Sequence, residues 1–545
     1  MKLNDLVAKA ASISAGEWVL LLVAYAVLYQ LSLSVYRVTL HPLAKIPGPF
    51  LNKISGWTHV FWAISGKRHL YLTWAHAKYG PIVRNGPNEL SFTTDTALRS
   101  IYLPKNANVQ KAKMYLTMDA ATGSQSTHST IDRMEHAARR RVLSHAFSES
   151  AVRSAEQFVN QNLETLFRII REKSKESGDS GWARADMGKL MNWYSFDVMG
   201  TLAFGRKFDC LESDEHRIVP SLLLSGSRFT HSLCHMPIAW VFNRIVASPL
   251  MKVIGGKPAR DNVKYYEYAD KQLRERIEEE NSLDEKSQIA RKDSTHYLLH
   301  AKDPETGRGF SYSELHADAS LLIAAGSDTV STTLAAAIFY LTRNPRALEE
   351  ATREVRAAFA SPEEVRGGPV LNGCKYMVAC IDEALRIAPA VPSDLPREVL
   401  PGGMDIDGYH IPAGTTVGVG AFAIHHSEKY YPEPYKFMPE RWIPAEKEGE
   451  WPSAEDVRMA HAAHCPFSIG IRGCLGKNMA MMELKITLAR LLLEFDMRLP
   501  AKFGENEPEG GGKDEEWGRD RKDEYQLTDW FICDRSGPVV ELKPV

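Results

Sequence analysis

One uncharged apolar run stands apart from the rest of the chain. Trp18 to Val35 reads WVLLLVAYAVLYQLSLSV. Its 18 residues reach the lower end of the roughly 17–25 that carry a helix across a bilayer. The predicted element is a membrane-anchor helix within an N-terminal segment 1–40. A cleaved signal peptide has a shorter apolar region and ends in small residues, whereas this run ends in Val35-Tyr36-Arg37. Arg37 and Lys45 follow the run and favour a cytosolic main body. Lys2 and Lys9, ahead of it, count against that orientation.

Residues 41–56 form a proline-rich linker, with Pro42, Pro47 and Pro49 inside HPLAKIPGP. Proline lacks the N–H and restricts its predecessor, so no helix continues here. Beyond it the pattern is mostly helical. Asp132–Phe147 is a basic helix, and Ser311–Thr342 is a long apolar one opened by a capping box, Ser311-Tyr-Ser-Glu314. Leu371–Ile387 and Leu475–Phe495 are further helices. Short strand-like pieces gather at Ile82–Arg84, Leu90–Phe92, Thr415–Val419 and Val539–Leu542. This distribution predicts a mainly α, α+β domain over 57–545 rather than alternating β/α units. Gly504–Tyr525 is polar and glycine-rich and reads as a surface loop. No internal repeat is visible.

Composition narrows the class. Hydrophobic residues are 44% and charged residues 25%, ordinary for a globular protein. A net charge of −2 gives no reason to expect nucleic acid. Seven cysteines, an odd number with no C-x-x-C pair, argue against a disulfide framework or a cysteine zinc site and for a reducing compartment.

The strongest chemical signal is Phe467-Ser-Ile-Gly470-Ile-Arg472-Gly473-Cys474-Leu-Gly476, directly before an amphipathic helix. A thiolate ligand must be held near a metal and sheltered from water. Gly470 and Gly476 let backbone turn and approach a flat cofactor. The following helix aims its N-terminal N–H groups at sulfur. Phe467 covers the sulfur with an apolar face, and Arg472 offers a cation to an anionic cofactor group. A lone cysteine in a glycine turn is usually only a buried small hydrophobe. Five positions here fit F-x-x-G-x-R-x-C-x-G, which chance supplies about once in 10⁷ starts. This loop resembles the haem-binding loop of the cytochrome P-450 superfamily. The resemblance makes Cys474 the axial ligand of a haem b iron.

Ala325-Gly326-Ser327-Asp328-Thr329 lies mid-way along the long apolar helix. An acid and an alcohol in such a helix are costly without a role. Ala325 and Thr329 share a face, and Gly326 leaves a notch for a small ligand. The bland alternative has Thr329 bonding back to its own helix and Asp328 capping a neighbour. The segment is similar to the family's A/G-G-x-D/E-T motif, which implies that Asp328 and Thr329 pass protons to bound dioxygen. Val330 stands where the family often has Ser or Thr. Glu383-x-x-Arg386 is a weak motif alone, but Phe437-Met-Pro-Glu-Arg441-Trp442 resembles the family's P-E-R-F/W segment, implying a structural cluster of Glu383, Arg386 and Arg441. The resemblance also assigns Arg397, His136 and Arg140 to the haem propionates, the His standing where the family commonly has Trp. Arg133, Arg139 and Arg141 are expected to stay solvated, on a basic face that can attract an acidic reductase.

The implied fold is the cytochrome P-450 fold, with haem between two helices, a small β region and an N-terminal transmembrane helix. The implied reaction inserts one atom of dioxygen into a lipophilic organic substrate. Electrons would come from NADPH through a membrane-bound FAD/FMN reductase, with cytochrome b5 as a second donor, at the endoplasmic reticulum. The segments HPLAKIPGP, YGPIVRNGPNELSF and FDVMGTLAFG resemble fungal microsomal members most, which points to secondary-metabolite substrates. The rival readings are an oxygen-independent haem–thiolate isomerase or dehydratase, and a non-catalytic haem sensor. Substrate-pocket residues are expected around Lys111–Thr122 and Ala390–Leu395.

Overall fold

The computed structural model of the chain describes residues 14–545 apart from 120–121, 240–243, 246–247, 283–292, 301, 304, 306, 448, 512–518 and 520. The apolar N-terminal run forms helix α1, Ala15–Thr39. Ser14 caps it: its Oγ accepts the Glu17 N–H at 3.3 Å, and its own N–H donates to the Glu17 carboxylate at 2.8 Å. The helix is long and apolar enough to cross a membrane, and no residue of it is buried. The segment after it is stiff and also docked. Leu43 and Ile46 are buried, and the Arg84 N–H donates to the Pro47 carbonyl at 2.7 Å. A Cβ on Gly48 would meet the Arg84 carbonyl oxygen at 2.3 Å, so only glycine allows this approach.

The helices that frame the interior are, in chain order, α2 (Asp95–Tyr102), α3 (Arg133–Ser144), α4 (Met187–Phe204), α5 (Ile218–Cys234), α6 (Gly256–Ser282), α7 (Ser294–His300), α8 (Tyr312–Arg343), α9 (Lys375–Ile387) and α10 (Lys477–Glu494). The four helices read from the sequence appear with small changes. Asp132 caps α3 through the Glu135 N–H at 2.8 Å, and the expected capping box opens α8. The expected helix Leu371–Ile387 breaks at Cys374 (φ −73°, ψ 73°), which separates a short turn of helix, Pro369–Gly373, from α9. Helix α8 is as apolar as an anchor but serves as core: every residue from Leu334 to Leu341 is buried.

A five-stranded sheet is ordered β1 (Ile82–Gly86), β2 (Glu89–Phe92), β8 (Thr416–Val419), β5 (Arg397–Val399), β3 (Val109–Lys111). Only the β2–β8 pair is parallel. A three-stranded sheet joins β4 (Ala183–Asp186), β12 (Val539–Pro544) and β9 (Phe495–Arg498). Two hairpins complete the strands, β6 (Met404–Ile406) with β7 (Tyr409–Ile411) and β10 (Leu527–Trp530) with β11 (Ile532–Arg535). Part of the 504–525 segment, expected to lie on the surface, falls outside the described residues; the rest is largely exposed or half-buried and enters the core at its end. Tyr525 is buried and its hydroxyl donates to the Gly537 carbonyl at 2.6 Å.

Glu383, Arg386 and Arg441 come together and are buried. Glu383 Oε1 accepts from Arg386 Nη2 at 2.8 Å and Arg441 Nε at 3.0 Å; Oε2 accepts from Arg386 Nε at 2.8 Å and Trp442 Nε1 at 3.0 Å. Burial pushes the Glu383 carboxyl up, but Arg386 and then Arg441 outweigh it and hold the group below its ordinary value. Removing one guanidinium leaves charge uncompensated in the core. Arg386→Ala is therefore expected to destabilise the fold by about 3–5 kcal/mol, read from urea unfolding followed by circular dichroism. Arg353→Ala, on the exposed surface, should leave the midpoint where it was.

Candidate active site

A cavity of about 440 Å³ lies inside the molecule. Ala325, Gly326 and Thr329 of α8 line it, and so do Phe467, Arg472, Gly473, Cys474 and Gly476. Of the seven cysteines six are buried, and Cys474 alone is exposed. Its exposure is toward this cavity, for surrounding protein desolvates the sulfur enough to raise the thiol pKa. The backbone N–H groups of Gly476 and Lys477 and the Arg140 charge pull the other way, as a helix N-terminus should.

The loop owes its shape to bonds and close contacts. The Cys474 N–H donates to the Phe467 carbonyl at 2.8 Å, and the Gly473 N–H to Gly470 at 2.9 Å. Gly470 has φ +73°, and a Cβ there would meet the Tyr102 carbonyl oxygen at 2.0 Å. Its freedom thus serves close contact with the end of α2. A Cβ at Gly476 would meet only ordinary contacts, Phe147 at 3.6 Å and Cys474 Sγ at 3.9 Å. The loop is also tied to the Glu383 cluster through His425. His425 Nδ1 lies 3.0 Å from the Arg386 carbonyl oxygen, and His425 Nε2 accepts the Cys465 N–H at 3.0 Å. Those two partners fix the Nδ1–H tautomer, and burial beside Arg386 keeps the ring neutral. The sequence reading missed His425.

Cations crowd one part of the cavity. Arg472 donates to the Thr130 carbonyl at 2.5 Å and to Ile131 at 2.9 Å, and Arg140 donates to Gly473 at 2.8 Å. Burial and the nearby Arg397 push Arg472 down to about 10. Arg397 itself does not line the cavity: it donates to the Leu395 and Pro396 carbonyls and lies 5.0 Å from the Tyr102 ring. His136 lines the cavity, but burial and the charges of Arg472, Lys111, Arg140 and Arg397 push it down to about 3. Burial and those neighbouring cations keep the ring uncharged. Lys111, at the start of the region expected to line the pocket, lines it but was not foreseen as one of these cations; it lies 4.2 Å from the Tyr115 ring, and burial, with the Arg397 and Arg472 charges, pushes it well down. Its signal was a lysine at an inward position of a short strand, Val109–Lys111. Like charges gathered away from water favour an anion among them.

Of the other arginines of α3, expected to be solvated, Arg139 is not, while Arg133 and Arg141 are half-buried and also find partners. Arg139 is buried and pairs with Glu135 at 2.7 Å and with Glu314 of α8 at 2.8 Å. Arg141 pairs with Asp303 at 2.8 Å, and Arg133 donates to the Ala107 and Val109 carbonyls. The face proposed to attract a reductase is therefore largely used within the molecule.

On α8 the acid and the alcohol point apart. The Thr329 hydroxyl donates back to the Ala325 carbonyl at 2.7 Å, on the cavity side. Asp328 does not line the cavity; it accepts from Asn192 of α4 at 2.9 Å. Burial pushes its carboxyl up to about 6, against the pull of Arg535 and the Asn192 bond. A Cβ on Gly326 would meet Met199 Sδ at 2.2 Å, so this glycine lets α4 and α8 close on each other. A second acid, Asp318, lines the cavity one stretch earlier in α8. It accepts the Thr127 N–H at 2.7 Å and the Thr127 hydroxyl at 3.0 Å, and burial pushes it to about 7. Met118, Asp119, Ala390, Val391, Ser393 and Leu395 line the cavity in the two regions expected. Leu223 of α5, Tyr265 of α6 and Phe531 after β10 do so too, unforeseen.

The family model described as Cytochrome P450 matches residues 47–512. The chain is 40% identical over 533 residues to the cytochrome P450 monooxygenase fscF of Fusarium equiseti, covering 97% of this chain and 96% of that protein. It is 34% identical to the cytochrome P450 monooxygenase AKT7 of Alternaria alternata, covering 94% and 95%. The crystal structure of the cytochrome P450DA heme domain shares the fold, with a TM-score of 0.68, 18% identity, and 92% and 98% of the two chains covered.

The raised Asp328 carboxyl has a sign that can be tested. Its ordinary value is 3.8 and its folded value about 6, so between them the folded protein keeps a proton that the unfolded chain gives up. Whatever stability the protonated form contributes is whole below about pH 4 and is lost as pH rises through about 6. Asp328→Asn cannot ionise. Urea midpoints for this variant should fall less steeply than wild type across that window, and parallel slopes would contradict the burial described.

Proposed function

Because the chain belongs to the cytochrome P450 family, we propose that it is a haem monooxygenase in which Cys474 binds the iron and Thr329 and Asp328 manage protons. The observation that carries this reading is the single exposed cysteine opening on the cavity that Thr329 also lines. The donor set suits an iron porphyrin: one thiol, apolar walls, and a crowd of cations ready for two carboxylates. Arg472, Arg140 and Lys111 would hold those carboxylates, with His136 as a neutral donor and Arg397 adding charge from behind. When bound, the haem supplies the iron at which dioxygen is activated.

The chain's own residues do the rest. Ala325 and Gly326 shape the wall of α8 beside the reacting centre. The Thr329 hydroxyl holds its proton on the Ala325 carbonyl and can turn it toward the cavity. Asp328, near 6, populates both protonation states close to neutrality and can reload that hydroxyl. The apolar lining from α5, α6 and the β10–β11 turn would exclude water and favour a lipophilic substrate. An isomerase or a haem sensor would have no use for such a pair, and no observation favours either.

Fungal relatives such as fscF and AKT7 are each named monooxygenases, and the substrate here would be a lipophilic secondary-metabolite intermediate. Electrons would come from NADPH through an FAD/FMN reductase, with cytochrome b5 as a further donor. Helix α1 would hold the protein as a single-pass anchor in the endoplasmic reticulum, its catalytic domain, 57–545, cytosolic.

Two measurements test the reading. Reduced wild-type protein with carbon monoxide should give the red-shifted Soret band of thiolate-bound haem, and Cys474→Ser should lose it; a variant that keeps the band makes Cys474 the wrong ligand. Thr329→Ala should retain haem yet release hydrogen peroxide in place of product, with product per NADPH falling by a large part of the roughly 10²–10⁴-fold that a positioned proton relay contributes. Unchanged coupling would remove Thr329 from the proton path.

A further inference from the structure

Away from the cavity, the end of α6 and helix α7 bring three metal-ligating side chains together. Glu280 lies near the C-terminus of α6. His296 and His300 sit four residues apart on α7, so they share a face. His296 Nδ1 is 2.6 Å and His300 Nε2 is 3.0 Å from the same oxygen, Glu280 Oε1. The three ligand atoms all lie within 4.8 Å of one another.

The carboxylate is held from its other side. Arg276 Nη2 is 2.7 Å from Glu280 Oε2, and Arg276 Nε donates to Asp293 Oδ2 at 2.8 Å. Asp293 Oδ1 accepts the His296 N–H at 2.8 Å, which pins the first turn of α7. The Thr295 hydroxyl, donating to the Ala203 carbonyl at 2.5 Å, moors that turn to α4. Glu280 therefore presents Oε1 to the imidazoles in a fixed orientation. Side-chain exposure rises from 2% at Glu280 through 13% at His296 to 50% at His300, so one side of the cluster opens to solvent.

We propose that Glu280, His296 and His300 bind one divalent transition-metal ion of zinc's class, clamping α6 to α7. Two imidazoles and one carboxylate, with a fourth position open to water, are a recurrent zinc donor set. Imidazole donors select such ions over calcium and magnesium, which take all-oxygen shells. Ligating carboxylates are themselves hydrogen-bonded by outer partners that fix their orientation, and Arg276 holds that place here. Ligand atoms about 2.0–2.2 Å from a tetrahedral ion stand roughly 3.3 Å apart, so small rotamer shifts of the two imidazoles admit the ion. The clamp would join the two helices across residues 283–292 and so steady α6, whose Asn262, Tyr265 and Tyr266 line the cavity.

The competing account makes the imidazoles nothing more than hydrogen-bond donors to a buried carboxylate. Full-length, haem-loaded protein, freed of any affinity tag and stripped with EDTA, would be titrated with Zn²⁺ against a fluorescent zinc indicator. One ion per chain is expected, together with a rise in the thermal unfolding midpoint. His300→Ala, at a half-exposed position, should lower zinc affinity at least about tenfold with the haem spectrum unchanged, and Glu280→Gln should do likewise. His410→Ala, an exposed histidine elsewhere, should change nothing. Failure of wild type to take up stoichiometric zinc at about 100 μM, a concentration well above any useful Kd, would overturn the proposal. So would equal uptake by His300→Ala and His296→Ala.

Discussion

A carboxylate removed from water must be surrounded by donors, and Glu383 gathers its donors from separate stretches of chain. Arg386 comes from its own helix, and Arg441, Trp442 and the Met438 N–H come from the turn that follows the sheet region. Satisfying one buried charge thus fixes how those stretches meet. The same arginine extends the order further. Its side chain takes the His425 and Pro434 carbonyls at 2.8 and 2.7 Å, and its own carbonyl orients the His425 ring that accepts the Cys465 N–H. The loop that ends in Cys474 therefore starts from a point set by a charge it never touches.

The cavity inherits a division of labour from the elements around it. Positive charge collects around Arg472, Arg140 and Lys111, while acids lie along α8 at Asp318 and, behind its wall, Asp328. Consecutive residues on an α-helix point about 100° apart, which is why Thr329 can face the cavity while Asp328 faces α4. The proton path proposed between them would run around the helix rather than along one face, and Asn192 decides where the carboxylate rests.

What could be read from the sequence was local, and what could not was pairwise. The Cys474 loop, the capping box at Ser311 and the Glu383 triad are short patterns whose chemistry is self-contained, and each formed. Arg139 looked like one more solvated arginine because its partner Glu314 lies 175 residues away. The glycines at 326 and 470 were legible as glycines, but the neighbour each makes room for, Met199 or Tyr102, came only with packing. Lys111 and His425 carried no motif; burial among distant partners gave them their roles. The helix expected from Leu371 was broken at Cys374 because apolar periodicity does not register a single ψ rotation.

One short stretch is gripped from two sides. The Thr127 N–H and hydroxyl are bound by Asp318 of α8, and three to four residues later the Thr130 and Ile131 carbonyls are bound by Arg472 of the cysteine loop. Residues 127–131 thus act as a caliper whose jaws are the long helix and the cysteine loop. Its length is a dimension of the cavity, set by backbone groups at one jaw and by the Thr127 side chain and N–H at the other. A residue inserted within it would move one jaw against the other.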